Sequence, residues 1–425
     1  MALTTLCGQT TFSQQPAGAC GPKFLIAEGY SGMALVLCEE RNAILRLDIQ
    51  GGTVLSQALT AESPFAACLH PDGQRIYVSC RRGQQILELD VESLATLRSF
   101  ELRGDPTGLT VSADGKRLYA GVHSLDQIAV WDIESGREIK RLASGNGPES
   151  VYLEPKQGRV YVTNLLSNPV APDEPPRNEI TVIDDQSARV IERIILEGAN
   201  VGRGIAFAKD GSQGIAAISR PKNLVPMVQV ARGWVVTNGF VVLSPDLDAL
   251  PVQLLVDLPN RGYSDPHDVA MTPDGRKFYL SCAGADTVIA VDMEELGKTV
   301  NEALAGRLPG FADHLGLSRR YVTVRIKVGA NPQALAIDRA GQRLLVANRL
   351  DDTITVIDTV SDEVIKTIAL SENVVQDRVT RGKRLFHSAA RTFQGQFSCA
   401  SCHPDDGFDG LQYDLEPDGL GKNVR

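Results

Sequence analysis

A short run near the end of the chain carries the residues best suited to chemistry. Cys399 and Cys402 are separated by two residues, and His403 follows directly. Cys-x-x-Cys-His is the attachment signal of c-type haem, in which two thiols add to the haem vinyl groups and the adjacent imidazole ligates the iron. The motif therefore predicts one covalently bound haem c, with His403 as the proximal iron ligand.

Two other chemistries use a Cys-x-x-Cys pair. A redox-active pair usually opens a helix that follows a βαβ strand, and no such pattern precedes Cys399. A zinc site needs a fourth ligand, and no third cysteine follows Cys402. Covalent haem is therefore the favoured interpretation of the motif.

The rest of the chain is dominated by an internal repeat. A short apolar run ending in Asp, or once in Ser, occurs at 43–48, 85–90, 127–132, 179–184, 239–244, 287–292 and 353–358. Apolar runs and Asp-Gly turns, such as those at 72–73, 114–115 and 274–275, surround it in the same order each time. Seven units of four short strands, on a base period of 42 residues with insertions, predict an all-β protein that is a seven-bladed β-propeller.

The repeat also resembles a known propeller family. The segments VYVTN at 160–164 and LVAN at 345–348 are similar to the YVTN-type repeat of bacterial and archaeal extracytoplasmic proteins. The resemblance covers about residues 24–370 and implies a propeller fold without indicating one activity.

Several cysteines lie outside the haem motif. Cys38, Cys80 and Cys282 occupy equivalent repeat positions on different blades, so we expect free buried thiols there. Cys7 and Cys20 are 13 residues apart, and the sequence leaves open whether they form a disulfide or stay unpaired.

Strand direction predicts where the insertions lie. Strands alternate in direction outward from the axis, so loops between second and third strands share the upper face with the connections between blades. Insertions at 165–178 and 220–238 belong there, whereas 293–320, with helical spacing, is expected on the lower face. The chain leaves blade seven upward, so an amphipathic helix at 373–385 and the haem motif should lie beside the upper insertions.

The sixth iron ligand is open in the sequence. No methionine follows Met293. His267 is expected at the upper rim of the central channel, where the haem segment should dock, and His387 precedes His403 by 16 residues. Either is a candidate sixth ligand, and an open or water-ligated iron is the alternative.

The residues around the motif resemble the first haem segment of the bacterial dihaem cytochrome c peroxidase and MauG-like families. The similarity rests on RGKRLF at 381–386, FSCASCHP at 397–404, Asp409-Gly410 and GKNVR at 421–425. It implies that Cys399 and Cys402 hold the haem covalently and that His403 is the proximal ligand. Those families carry a second Cys-x-x-Cys-His motif, which does not occur in this sequence, so peroxidase or oxidase activity and the completeness of the segment stay open.

Composition excludes several classes of function. The 425 residues carry a net charge of −9 without a basic cluster, which argues against a nucleic-acid partner. No apolar run approaches about 18 residues, so no membrane span is predicted. Because haem c is attached outside the cytoplasm and the N-terminus lacks a signal-peptide pattern, we expect a mature periplasmic or otherwise extracytoplasmic chain.

The predicted organisation is a leader at 1–22, the propeller at 23–370 and a mainly helical cytochrome c segment at 371–425. The leading hypothesis is electron transfer to or from a redox protein or small molecule, with the propeller as a docking platform. One alternative is a peroxidase-like enzyme with His267, Asp265 and Arg203 as distal groups. The other is a propeller that acts as a binding module.

Overall fold

The computed structural model describes residues 19–28, 32–226, 234–371 and 377–414. Within these residues, 28 strands form seven antiparallel sheets of four consecutive strands each. The innermost strands of neighbouring sheets contact one another in a closed ring. The predicted seven-bladed β-propeller is therefore confirmed.

Each blade takes its strands in sequence order from the axis outward. Blade one contains β1 (Pro22–Glu28), β2 (Met33–Cys38), β3 (Ala43–Asp48) and β4 (Thr53–Leu59). Blade two contains β5 (Pro64–Leu69), β6 (Arg75–Cys80), β7 (Gln85–Asp90) and β8 (Thr96–Glu101). Blade three contains β9 (Pro106–Val111), β10 (Arg117–Val122), β11 (Gln127–Asp132) and β12 (Arg137–Ala143). Blade four contains β13 (Pro148–Glu154), β14 (Arg159–Asn164), β15 (Arg177–Asp184) and β16 (Arg189–Glu197).

The remaining blades follow the same order. Blade five contains β17 (Val201–Phe207), β18 (Gly214–Pro221), β19 (Val236–Leu243) and β20 (Val252–Leu255). Blade six contains β21 (Pro266–Met271), β22 (Lys277–Cys282), β23 (Thr287–Asp292) and β24 (Val322–Lys327). Blade seven contains β25 (Pro332–Ile337), β26 (Arg343–Asn348), β27 (Thr353–Asp358) and β28 (Glu363–Ala369). The α-helices are α1 (Met293–Leu304), α2 (Ser318–Tyr321), α3 (Arg378–His387) and α4 (Cys399–Cys402). Among the described helices, none is long and apolar enough to cross a membrane.

The repeated apolar run is the third strand of every blade. In β27, alternate side chains enter different cores because a strand points successive residues to opposite faces. Ile354 and Val356 pack with residues of blade one, whereas Ile357 packs with residues of blade six. A third strand is thus covered on both faces, which explains why the run is apolar at almost every position.

The aspartate that ends the run closes the turn to the fourth strand. In β11, Asp132 Oδ1 accepts hydrogen bonds from the Ser135 backbone at 2.8 Å and from its hydroxyl at 2.6 Å. Asp90 and Ser93 repeat the arrangement in blade two. An Asp side chain that bonds the backbone two or three residues on is a standard turn former. The turn chemistry of the repeat is therefore local.

These turns predict an acid-sensitive propeller. Hydrogen bonds from Ser93 and Ser135 lower the pKa of Asp90 and Asp132. A carboxyl group whose pKa is lower in the folded state than in the unfolded state stabilises the fold when the pH is above the unfolded-state pKa, which is about 4. This stabilisation is lost as the pH falls through the folded-state pKa. In the wild type, the free energy of unfolding, measured with urea, should fall between pH 5 and pH 3. We expect this fall to be smaller in the double variant Ser93→Ala with Ser135→Ala. Ser99→Ala, at an exposed serine of β8, is the control, and equal losses in all proteins would contradict the prediction.

The ring closes between blades seven and one without a shared sheet. Asp352, after β26, accepts hydrogen bonds from the backbone nitrogens of Cys20 at 2.8 Å and Gly21 at 2.6 Å. Arg349 pairs with Glu39 at 3.0 Å across the same boundary. Hydrogen bonds and ion pairs therefore reinforce the apolar contact between the first and last blades.

A disulfide joins Cys20 to Cys38 in blade one. The expectation of a free thiol at Cys38 was therefore wrong. The sequence left open whether Cys20 pairs with Cys7, which lies outside the described residues, and the structure pairs Cys20 with Cys38 instead. The reason is the strand register: Pro22 of β1 pairs with Cys38 of β2, so the residues just before β1 lie beside Cys38. Cys80 and Cys282 are free and buried as predicted, and burial raises the pKa of Cys80 to about 12.

The insertion of blade six is not confined to the lower face as predicted. It begins with α1, whose Val300 is buried as the spacing suggested, although Leu304 is exposed. It then follows the outer side of blade five, where Asp313 pairs with Arg220 and Lys222 near the upper end of β18. The insertion therefore contacts both blade six, from which it starts, and the outer side of blade five.

Candidate haem site on the upper face

Helix α3 lies on the upper face over the boundary of blades seven and one. Its Asp377 cap accepts a hydrogen bond from Thr380 N at 2.8 Å. Lys383 pairs with Glu40 at 2.7 Å, and Arg384 pairs with Asp351 at 2.5 Å. The charged side of the helix therefore faces the propeller.

The predicted apolar side of this helix is not buried. Val379 is 64% exposed and Leu385 is 53% exposed, so these two residues of the predicted apolar side do not pack against the propeller. Val374 and Val375, which were predicted on the same side of the helix, lie outside the described residues. Charge pairing decided the orientation of α3, and an apolar periodicity alone could not predict it.

The chain then crosses blades six and five on the upper face, the face on which strand direction predicted it. Ala389 N donates to the Gly284 carbonyl at 2.9 Å, above blade six. Gln396 is fully buried, and its Oε1 accepts a hydrogen bond from Val235 N at 2.8 Å in the blade-five insertion. The Asn238 amide donates to the Gln396 carbonyl at 3.1 Å. The segment is thus seated against the upper insertion of blade five.

Helix α4 carries the cysteine pair and is bound to the propeller through its serines. Ser398 Oγ donates to Asp265 Oδ2 at 2.6 Å, and Ser401 Oγ donates to Asp265 Oδ1. Asp265 precedes β21, and burial raises its pKa. Because the serines turn toward the propeller, Cys399 on the other side of this helical turn is exposed.

Cys402 lies in a small apolar cluster beside blade five. Val235, Val236, Leu411 and Tyr413 form the cluster, and Cys402 packs against it. Tyr413 donates a hydrogen bond to Asp409 at 2.7 Å. Burial raises the pKa of the Cys402 thiol to about 12, so this thiol is protonated at neutral pH.

His403 is partly exposed beside α3. Its Nδ1 lies 3.0 Å from the Gly407 carbonyl, and its ring centroid lies 6.4 Å from that of Phe386. A carbonyl only accepts, so Nδ1 is the donor in this contact and Nε2 is the ring nitrogen that remains available to a metal. The chain therefore presents two thiols and an imidazole nitrogen within one helical turn.

Asp405 anchors the segment over the central channel. It pairs with Arg81 of blade two at 2.8 Å and with Arg203 of blade five at 3.3 Å. Burial alone would raise the pKa of Asp405, but Arg203, Lys23 and Arg81 hold it well below its usual range. The carboxylate is thus ionised and joins two blades that lie on different sides of the ring.

A cavity of about 770 Å³ separates the segment from the propeller. Ala400, Ser401, Pro404 and Asp405 of the segment line it, whereas Cys399, Cys402 and His403 are not among its lining residues in the described part of the chain. The structure thus brings the three predicted haem residues together and turns them away from the channel.

His267 and His387 both line this cavity. Burial, together with Arg203 and Lys23, keeps the pKa of His267 well below its usual range, and its Nε2 has no hydrogen-bond partner among the described residues. Burial, with Arg349 next, lowers the pKa of His387 to about 4. Both rings are neutral, but they lie on the channel side of the segment, so a role as sixth ligand stays a prediction.

The residues considered as distal groups for an enzyme have structural partners. Asp265 is bonded by both serines of α4, and Arg203 is held by Glu149 at 2.7 Å as well as by Asp405. Sequence reasoning missed Arg81 and Asp405. Asp405 directly follows the haem motif and Pro404, but its partners come from distant repeats. No group of three or more His, Cys, Asp or Glu in the described residues is arranged to hold a metal ion.

Comparisons with known proteins support the fold. No family model matches the sequence. The chain is 29% identical over 184 residues to hydrazine synthase subunit beta of Kuenenia stuttgartiensis, a match that covers 43% of this chain and 47% of that protein, so the chain spans about half the length of this curated relative. The structure is similar to Kuenenia stuttgartiensis hydrazine synthase, with a TM-score of 0.75 and 21% identity over 83% of this chain and 99% of that chain. A functionally unknown protein from Desulfotomaculum acetoxidans has a TM-score of 0.55 and 11% identity over 79% of this chain and 94% of that one.

Proposed function

We propose that this chain is an extracytoplasmic c-type haem protein that transfers electrons. Cys399 and Cys402 would hold one haem c covalently, and His403 Nε2 would ligate its iron. The observation that carries the proposal is the hydrogen bond from His403 Nδ1 to the Gly407 carbonyl. Such a bond on the other ring nitrogen is the usual companion of a metal-ligating histidine, because it sets the tautomer and the ring orientation.

The same geometry argues against the two other uses of the motif. A redox-active pair usually opens a helix that follows a βαβ strand, whereas in the described residues no strand lies between β28 and Cys399. A structural zinc site needs four ligands, and the described residues around Cys399 and His403 provide no such cluster. When bound, haem c supplies an iron that changes its charge by one electron. The chain supplies the thiols, the ligating nitrogen and the apolar surroundings of Cys402.

Three further features support an extracytoplasmic location. The strands at 160–164 and 345–348 resemble the YVTN-type repeat, and the segment around His403 resembles the first haem segment of the dihaem peroxidase and MauG-like families. The disulfide between Cys20 and Cys38 suits an oxidising compartment. We infer that the chain works where c-type haem is attached.

We also propose that the propeller works within a multi-subunit redox enzyme, docking protein partners around the haem segment. The similarity to a subunit of hydrazine synthase, in sequence over 184 residues and in fold over 83% of this chain, supports this reading. An exposed Cys399 and a partly exposed His403 would place the redox group near the surface where a partner could approach.

Covalent haem is tested by expressing the full chain with haem-c maturation machinery and measuring a pyridine haemochrome. We expect one covalent haem per chain in the wild type and none in the variant Cys399→Ser with Cys402→Ser. His403→Ala should retain little or no haem, since the ring that ligates the iron is gone. Cys68→Ser is the matched control, because this thiol lies outside the motif in β5.

Two outcomes would overturn the proposal: no covalent haem in the wild type, or equal haem content in the double cysteine variant. The spectrum of the loaded protein also tests the sixth ligand. A low-spin iron in both redox states supports electron transfer, and a change to high spin in His267→Ala or His387→Ala would identify the ligand. A high-spin wild-type iron that reacts with peroxide would favour an enzyme.

A further inference from the structure

The cavity beneath the haem segment is large enough to hold a small molecule. Its volume of about 770 Å³ lies within the range of roughly 300–1,000 Å³ that is usual for ligand sites. A smaller space of about 90 Å³ lies in the channel, between the innermost strands. Lys23, Arg203, His267 and Gln333 line both spaces, so they mark the place where the cavity meets the channel.

Several of the charged groups that line the cavity are paired with one another. Arg349 binds Glu39 at 3.0 Å. Asp405 binds Arg81 at 2.8 Å and Arg203 at 3.3 Å. These pairs satisfy the carboxylates nearest to the channel, so none of those carboxylates is left to neutralise a further cation by direct contact.

Lys23 is the exception in this group. Its side chain starts from β1 and is only 8% exposed, yet the described residues provide its ammonium with no hydrogen bond and no ion pair. Its nearest stabilising contact is the Phe65 ring, whose centroid lies 4.8 Å from Nζ. Asp405 and Glu39 attract it only at longer range, while burial and Arg349 oppose the charged form. Burying a charge without a partner is costly, which makes this position unusual.

We propose that the cavity binds a small organic anion whose carboxylate pairs with the Lys23 ammonium. Among the buried cations that line the cavity in the described residues, this ammonium is the one without a direct partner. We therefore expect a ligand with a single negative charge. The ammonium offers up to three donors, of which a carboxylate can accept more than one. The remainder of the cavity accommodates the body of the ligand beneath Ala400 and Pro404.

Binding is tested on the purified full chain by calorimetry at constant ionic strength and pH 7. Benzoate is the probe, and benzamide is its neutral counterpart of the same shape. We expect the wild type to bind benzoate at least tenfold more tightly than benzamide. Lys23→Met should weaken benzoate binding at least tenfold, and Lys23→Gln serves if that variant does not fold.

Lys383→Met is the matched control, because Lys383 also lines the cavity but is already paired with Glu40. We expect it to change benzoate affinity less than twofold. The proposal is overturned if the wild type does not prefer benzoate over benzamide, or if the folded Lys23 variant binds benzoate as tightly as the wild type. An equal loss in Lys383→Met would also overturn it, since the effect would then be one of general charge.

Discussion

Replacing Asp405 with Asn releases residues 377–414 from the propeller while the seven blades stay folded: this is the largest effect we expect from a single substitution. The change keeps the shape of the side chain but removes the charge shared by Arg81 and Arg203. Both guanidinium groups are mostly buried. Arg203 keeps its pair with Glu149, but Arg81 is left buried without its carboxylate. Such a loss costs about 3–5 kcal/mol, which corresponds to a hundredfold or greater rise in the open population.

Hydrogen exchange of the backbone amides measures this release directly. Amides of α3 and α4 should exchange at least a hundredfold faster in Asp405→Asn, whereas those of the blade strands should not change. Lys383→Ala is the control, because its pair with Glu40 is partly exposed and worth about 0–1 kcal/mol. Unchanged exchange in α4 would show that the serine contacts to Asp265 hold the segment without Asp405.

The blades were predictable because the residues that determine each blade lie within its own repeat. The third strand is apolar on both faces, and the aspartate that ends it closes the next turn through bonds to residues two or three positions away. These are short-range features, so six units were evident from the aligned pattern. Blade five was the weak copy, with Ser244 in place of Asp, and β19 begins at Val236, three residues before the matched run.

The position of residues 377–414 on the upper face was predictable, but their orientation was not. Strand direction alone places the chain after blade seven on the upper face. Which side of α4 faces the channel depends on Ser398 and Ser401 meeting Asp265, a contact across more than 130 residues. His267 lies in the channel as expected, yet these contacts turn Cys399 away from it. Sequence patterns report local periodicity and do not report such distant pairings.

The error at Cys38 has a similar origin. Equivalent repeat positions lie on different blades, so a repeat-based argument leaves every such cysteine unpaired. Cys20 is outside the repeat and is brought to Cys38 by the pairing of β1 with β2. A comparison of cysteines across neighbouring antiparallel strands, rather than across equivalent positions, would have found the pair.

Removing this disulfide should destabilise the propeller more than any other change within blade one. The bridge closes a loop with a sequence separation of 18, for which the chain-entropy estimate is about 3 kcal/mol. Both sulfur atoms belong to fully buried residues, and Cys20 also donates its backbone N–H to Asp352 of blade seven. Loss of the bridge therefore loosens the boundary at which the ring closes.

The variant Cys20→Ser with Cys38→Ser tests this in guanidinium unfolding, and avoids leaving one unpaired thiol that could form a wrong bridge. We expect a lower midpoint and faster exchange of the β1 amides than in the wild type. Cys80→Ser is the matched control, since it changes a free buried thiol at the equivalent position of blade two. If that control costs as much as the double variant, the buried hydroxyl rather than the lost covalent link explains the effect. If the double variant unfolds at the wild-type midpoint, the contacts of Asp352 with the start of β1 close the ring without the bridge.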